Sequence, residues 1–170
     1  KELLDLVHEQ QEIVDDQSFN IKPDTVAYKQ IDRDYKALTA IEYVIKNNIK
    51  AIKNPDLQQG AIFVYDWQGY DDEIGAIQLQ ITDSVAEIKW LGSYNSSGKQ
   101  LMAKGLEQAK AMGATKVKLT SKWNSSEYYK KQGFTPSGSE ETNPLTDVGG
   151  EYTKDIKEYS VKSYIKQPEK

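Results

Sequence analysis

Apolar residues in the opening stretch, KELLDLVHEQQEIVDDQ, recur at helical spacing. Leu3, Leu4, Val7 and Val14 fall near one side, and acidic and amide residues fill the rest. This predicts an amphipathic helix over residues 1–17. Pro23, in the loop SFNIKPD, stops its continuation. TVAYKQID reads as a strand. RDYKALTAIEYVIKNNIKAI then reads as a helix, because Tyr35, Leu38, Ile41, Ile45 and Ile49 repeat at helical spacing, and NPDLQQG ends it.

The period then changes from helical to alternating. GAIFVYDWQ and EIGAIQLQIT predict strands joined by the turn QGYDD, and VAEIKWL predicts a third. From Gly98 to Met112 the helical period returns, with Leu101, Gly105, Ala109 and Met112 along one face and Gly113 as the stop. TKVKLTSK alternates, setting Val117 and Leu119 apart from the lysines. SSEYYKKQ is a short helix ended by Gly133. FTPSGSEETNPLTDVGG is a strand beginning followed by a polar loop, and EYTKDIKEY closes as a strand. The expected architecture is α/β (α+β), a mixed sheet with helices on its faces. VAEIKWL, its helix and TKVKLTSK form a right-handed crossover. The predicted organisation is an N-terminal helical extension, residues 1–22, and one domain over residues 23–170.

Composition narrows the chemistry. The chain of 170 residues has no cysteine and one histidine, His8, which excludes disulfides, thiolate metal sites and cysteine nucleophiles and leaves no basis for a metal site. The net charge of -4 disfavours nucleic acid as a partner. Arg33 is the only arginine, so forked arginine contacts to phosphate are nearly unavailable. No apolar run reaches the length of a membrane span, and no signal peptide is visible, so a cytoplasmic location is expected. The chain opens at Lys1 without a methionine, which fits a piece of a larger polypeptide.

The most informative stretch is GSYNSSGKQLM, residues 92–102, between a strand and a helix N-terminus. Inward backbone N–H groups and the positive end of a helix dipole hold anions, and ligands of such sheets bind at the C-terminal ends of strands. Serine offers the same N–H as glycine and adds a hydroxyl donor. Lys99 in the first helical turn opposes the dipole unless an anion is present. The plainer reading is a cap: Ser97-Gly98-Lys99-Gln100 fits a capping box, which satisfies the free N–H groups with no ligand.

AEIKWLGSYNSSGKQLM, GATKVKLTS and EYYKKQGF together resemble the core of the GNAT superfamily of N-acetyltransferases. In that family a strand leads to a phosphate-holding loop of the type R/Q-x-x-G-x-G/A, then a helix, a strand, and a short helix ending in Y-x-K-x-G-F. The resemblance covers residues 25–157 in element order and residues 85–134 in motif. Tyr129-Lys130-Lys131-Gln132-Gly133-Phe134 is its most specific part. The loop departs from the pattern: Ser93 stands for the leading Arg or Gln, Ser96 for the first glycine, and only Gly98 is kept.

The resemblance implies a mostly antiparallel sheet splayed at its centre and acetyl-CoA as cosubstrate. It implies that Ser93, Tyr94, Asn95, Ser96, Ser97, Gly98 and Lys99 hold the CoA pyrophosphate. The backbone of Leu91 and Gly92 would take the pantetheine arm as an extra strand. It places Glu87 as a general base whose pKa is raised by partial burial, and Tyr129 as the general acid for the departing thiolate. Beside these stand structural readings: Glu87 as a solvent-facing residue of an alternating strand, Tyr129 as a core aromatic beside an exposed Tyr128. Asn124 with Glu127 reads as a helix cap. Trp67, Trp90 and Trp123 read as packing residues. Asp66, Asp71, Asp72 and Glu73 read as a hydrated hairpin tip that could also draw a cationic amine.

The implied activity is direct acetyl transfer from acetyl-CoA to a primary amine, small or protein-borne. The alternative is a degenerate GNAT-like domain serving as a binding or structural module. The narrow apolar side of the first helix fits a partner helix, in a homo-oligomer or a larger polypeptide.

Overall fold

The computed structural model describes residues 2–18, 25–96, 98–121, 126–137 and 150–156. The order is α1 (Leu3–Ser18), α2 (Val26–Lys53), β1 (Ala61–Asp66), β2 (Ile74–Thr82), β3 (Val85–Tyr94), α3 (Gly98–Ala111), β4 (Lys116–Ser121), α4 (Ser126–Lys131), β5 (Thr135–Pro136) and β6 (Gly150–Asp155). The strands form one six-stranded sheet in the order β1-β2-β3-β4-β6-β5. Only the β3–β4 pair is parallel. The long α3 crossover between them supplies that parallel step.

The strand expected at residues 25–32 is helix. Thr25 is an N-cap whose hydroxyl accepts from the Tyr28 N–H, and α2 runs unbroken for 28 residues. Val26 and Tyr28 suggested a strand, but Ile31 already belongs to the apolar period continued by Leu38, Ile41, Val44 and Ile45. Tyr35 and Ile49, expected on that stripe, are exposed. The sheet therefore starts at β1. The loops expected over 19–24 and 138–149, Trp123, the cap expected at Asn124, and the expected continuation of the last strand beyond Ile156 lie outside the described residues.

Alternation in each strand divides the core in two. Ile62, Val64, Ile77, Leu79, Val117 and Leu119 face α3 and its buried Leu101, Met102 and Leu106. Ile74, Ala76 and Tyr94 face α1 and α2, where Val7, Val14, Leu38 and Ile41 close the second layer. Each buried Val, Leu, Ile or Met side chain among these contributes about 1.5–3 kcal/mol relative to exposure. The apolar side of α1 is thus covered by its own chain. Met112, expected on the buried face of α3, lies past the helix end and is exposed. Gly113, at φ +97, makes the turn that ends the helix.

Two local features set the course of β3. Asp83 and Ser84, both at positive φ, form a two-residue turn that fixes the β2–β3 register. Midway, Gln78 pairs with Trp90 but Leu79 pairs with Ile88, so Lys89 is a bulge. A bulge reverses alternation. Ala86 and Ile88 face α3 before it, and Leu91 faces α3 after it.

Candidate functional site

β3 and β4 pair only from Val85–Glu87 to Lys116–Lys118. Beyond that point β3 bonds outward to β2, through Tyr94, and β4 bonds outward to β6. Facing edges of the two strands are left open at their C-terminal ends, so the sheet parts at its centre. The bulge at Lys89 lies where the strands begin to diverge.

The expected loop is shorter than its sequence suggests. Gly92, Ser93 and Tyr94 are the last residues of β3, paired with Ala76, Gly75 and Ile74. Leu91 packs toward the α3 layer, half-buried. Gly92 is glycine for a packing reason: a Cβ would meet the Ala37 carbonyl and lie 2.9 Å from Ile41. Glycine lets α2 pass directly over β3 while leaving its backbone edge toward β4 free.

The chain that leaves β3 is tied down at Asn95 and Ser96. Ser93 Oγ donates to the Ser96 carbonyl at 2.6 Å and lies 3.0 Å from Ser96 Oγ. Asn95 takes φ +54, which asparagine tolerates, and its amide donates to the Asp72 carbonyl on the β1–β2 hairpin at 2.9 Å. Tyr94 is buried, and its hydroxyl donates to Gln10 Oε1 of α1 at 3.0 Å. Ser97 lies outside the described residues, and with it the expected capping box. Gly98 opens α3, with Lys99 exposed in a first turn that has no acidic residue. The two flanks of this helix N-terminus differ in charge. On the hairpin side a cavity of about 200 Å³ is lined by Asp66, Glu73, Asn95, Ser96 and Gln100. Its carboxylates disfavour an anion there. On the other side stands Tyr128.

Glu87 sits at the last paired position, on the sheet face opposite α3. Lys89 Nζ lies 2.9 Å from one carboxylate oxygen and Lys118 Nζ 3.5 Å from the other. Burial pushes this carboxyl up, but the hydrogen bond and charge of Lys89 and the charge of Lys118 outweigh it and hold the pKa below the ordinary value. The raised pKa expected from partial burial is therefore corrected. The alternating strand that half-buries Glu87 also places lysines beside it.

Tyr129 packs against the α3-side core, edge-to-face with Phe134 at 5.9 Å and with Tyr128 at 5.2 Å. Burial, with a small contribution from Tyr128, pushes its phenol up to about 12. Tyr128 carries its hydroxyl to the start of α3, 3.0 Å from where a Gly98 Cβ would stand. That contact was not legible, because consecutive tyrosines on a short helix do not reveal which faces the neighbouring helix. Trp90 stacks on Tyr43 of α2 at 4.6 Å and acts in packing, whereas Trp67, expected to pack, is exposed and donates to the Tyr70 carbonyl. Among the described residues no cluster suits a metal ion, and no helix is long and apolar enough to cross a membrane.

No family model matches the sequence, and no curated protein matches it. Solved structures do match in fold. A PaiA N-acetyltransferase from Thermoplasma acidophilum, in complex with coenzyme A, superposes with a TM-score of 0.51 at 16% identity, over 89% of this chain and 94% of its own. An aminoglycoside 6'-acetyltransferase type Ii gives 0.51 at 18%, over 87% and 97%. An acetyltransferase of the GNAT family from Staphylococcus aureus gives 0.50 at 16%, over 74% and 94%. Each of these superpositions covers more than nine-tenths of the solved chain, so this chain has the GNAT fold.

Proposed function

We propose that the chain is an acetyltransferase that moves an acetyl group from acetyl-CoA to a primary amine by direct attack. The observation that carries the reading is the parting of β3 from β4 beyond Glu87 and Lys118, with the N-terminus of α3 at the opening. The residues present fit CoA. The free edge of Leu91–Gly92 offers strand-like hydrogen bonds to the pantetheine amides. The Ser93–Lys99 turn offers backbone N–H groups, the helix dipole and the Lys99 charge to the pyrophosphate.

In the reaction the amine lone pair attacks the thioester carbonyl carbon and the C–S bond breaks. The amine gives up a proton, and the sulfur gains one to leave as CoA. Tyr129 is the proposed proton donor to sulfur; its phenol stays protonated throughout the physiological range. Glu87 is the proposed acceptor of the amine proton, through water. Its lysine partners make it a weak base, so it acts once the incoming amine displaces Lys89.

A second reading is favoured by the same details. Ser93 and Ser96 are bonded to each other, and Glu87 is doubly ion-paired, as in a domain kept for binding or structure. Calorimetric titration of acetyl-CoA and CoA, with Gly98→Glu as control, separates the two. Saturable binding abolished by the substitution, with CoA released in the presence of an amine panel, supports the transferase. Binding without turnover supports a sensor, and no binding supports a structural module.

A further inference from the structure

α1 reaches the candidate cofactor loop through one buried polar contact. Leu6, Val7 and Val14 make its buried face apolar, and Gln10, 8% exposed, interrupts that face. Its Oε1 accepts from the Tyr94 hydroxyl at 3.0 Å, with Tyr94 itself 6% exposed. A buried amide among valines is costly unless bonded, and so is a buried phenol. The pair therefore fixes a single placement of Tyr94 against α1.

Tyr94 is the last residue of β3, and the three residues after it lead to Gly98. Among the described residues three ties set this turn. Tyr94 is held from below by α1, Asn95 is held to the hairpin through the Asp72 carbonyl, and Ser96 is held by Ser93. The last two are local or lie on the exposed surface. The first crosses 84 residues of sequence and is buried. It is the tie that joins the turn to a separate helix.

We propose that Gln10 is a positioning residue for the CoA-binding turn: through the Tyr94 hydroxyl, α1 sets the angle at which the chain leaves β3 and so the affinity for CoA. This rests on the reading of the turn as the CoA pyrophosphate site. The coupling is reciprocal, so CoA bound at the turn also strengthens the docking of α1. The N-terminal helix thereby serves the site without touching the ligand.

The test is a double-mutant cycle of Gln10→Leu and Tyr94→Phe in the full chain, read by CoA titration and by thermal melting. Each single substitution strands one buried polar group; the double removes both and lets the stability recover. Positioning predicts that CoA Kd rises about tenfold in both singles, the equivalent of about 1.4 kcal/mol, and stays raised in the double although its melting temperature returns. It also predicts that hydrogen exchange in α1 slows when CoA is added. If CoA affinity follows the melting temperature through the cycle, or the singles bind as the unaltered chain does, Gln10 is only a stabilising contact and the proposal is overturned. If the unaltered chain binds no CoA, the reading of the site falls, and this inference with it.

Discussion

The hydroxyl of Tyr128 stands 3.0 Å from where a Cβ on Gly98 would be. The one glycine of the loop pattern that this chain retains thus has a structural use, letting α4 lean on the first turn of α3. It also brings a phenol to the place proposed for phosphate, while Tyr129 turns into the core layer. The two tyrosines should then separate by kinetic parameter. Tyr128→Phe is expected to raise KM for acetyl-CoA by about threefold to tenfold with kcat unchanged, the loss of one uniform binding contact. Tyr129→Phe is expected to lower kcat by about a hundredfold, if donation to sulfur limits turnover. Steady-state kinetics on the two variants checks this. The same loss of kcat in both would deny the division of roles.

Glu87 supplies a prediction with a defined sign. Lys89 and Lys118 stabilise its ionised form and depress its pKa against the opposing effect of burial. Lys89→Met removes the nearer cation, so the carboxyl pKa must rise. If Glu87 accepts the amine proton, the acidic limb of the kcat/KM profile moves to higher pH in Lys89→Met and disappears in Glu87→Gln. A limb that stays in place in both variants would assign proton acceptance to water.

Much of this geometry was legible from period alone. The change from helical to alternating spacing after NPDLQQG located every strand of the β1–β3 meander, and Gly113 and Gly133 marked helix ends where φ is positive. Residues 25–32 misled because Val26 and Tyr28 favour strands, whereas a threonine cap and a distant packing partner made the segment helical. The site was legible as a place and less so as chemistry. A strand that ends in small residues before a helix could be read locally. The lysines around Glu87 depend on a bulge and on a neighbouring strand 31 residues on, as the Lys118–Glu87 pair shows. Gln10 did leave a trace, an amide at helical spacing between Val7 and Val14, but its partner lies 84 residues away.

Gly92 is predicted to resist replacement for a packing reason alone. An added methyl would run into the Ala37 carbonyl, which is backbone, and the side chains of Ile41 and Ala40. Gly92→Ala should push α2 off β3 and destabilise the fold by about 1–3 kcal/mol. Gly69 has nothing within 4 Å of its Cβ position and differs only in its φ of +93, so Gly69→Ala should cost about 1 kcal/mol. Paired denaturant melts test the contrast. Equal costs would show that α2 yields at Gly92 and that the close approach is not required.

The contact between α1 and α2 carries a pH dependence of its own. Gln11 donates to Glu42 at 3.0 Å, Lys46 lies 2.9 Å away, and His8 is 3.2 Å away. The Gln11 hydrogen bond, then that of Lys46, prevails over burial, and with His8 they lower the Glu42 pKa from 4.5 to about 2. A carboxyl depressed in the folded chain binds its proton more readily once unfolded. Its contribution is therefore complete above pH 4.5 and is lost as pH falls toward 2. The site is partly open to solvent, which screens the pair and leaves about 1–2 kcal/mol. Glu42→Gln should lose that amount near neutral pH and show a flatter stability profile between pH 4.5 and 2. The measurement is urea unfolding of both proteins across that window. Parallel profiles would mean that the carboxylate is no better held in the folded chain than in the unfolded one, and that α1 is retained by its buried face, Leu6, Val7, Val14 and the Gln10–Tyr94 contact, without help from Glu42.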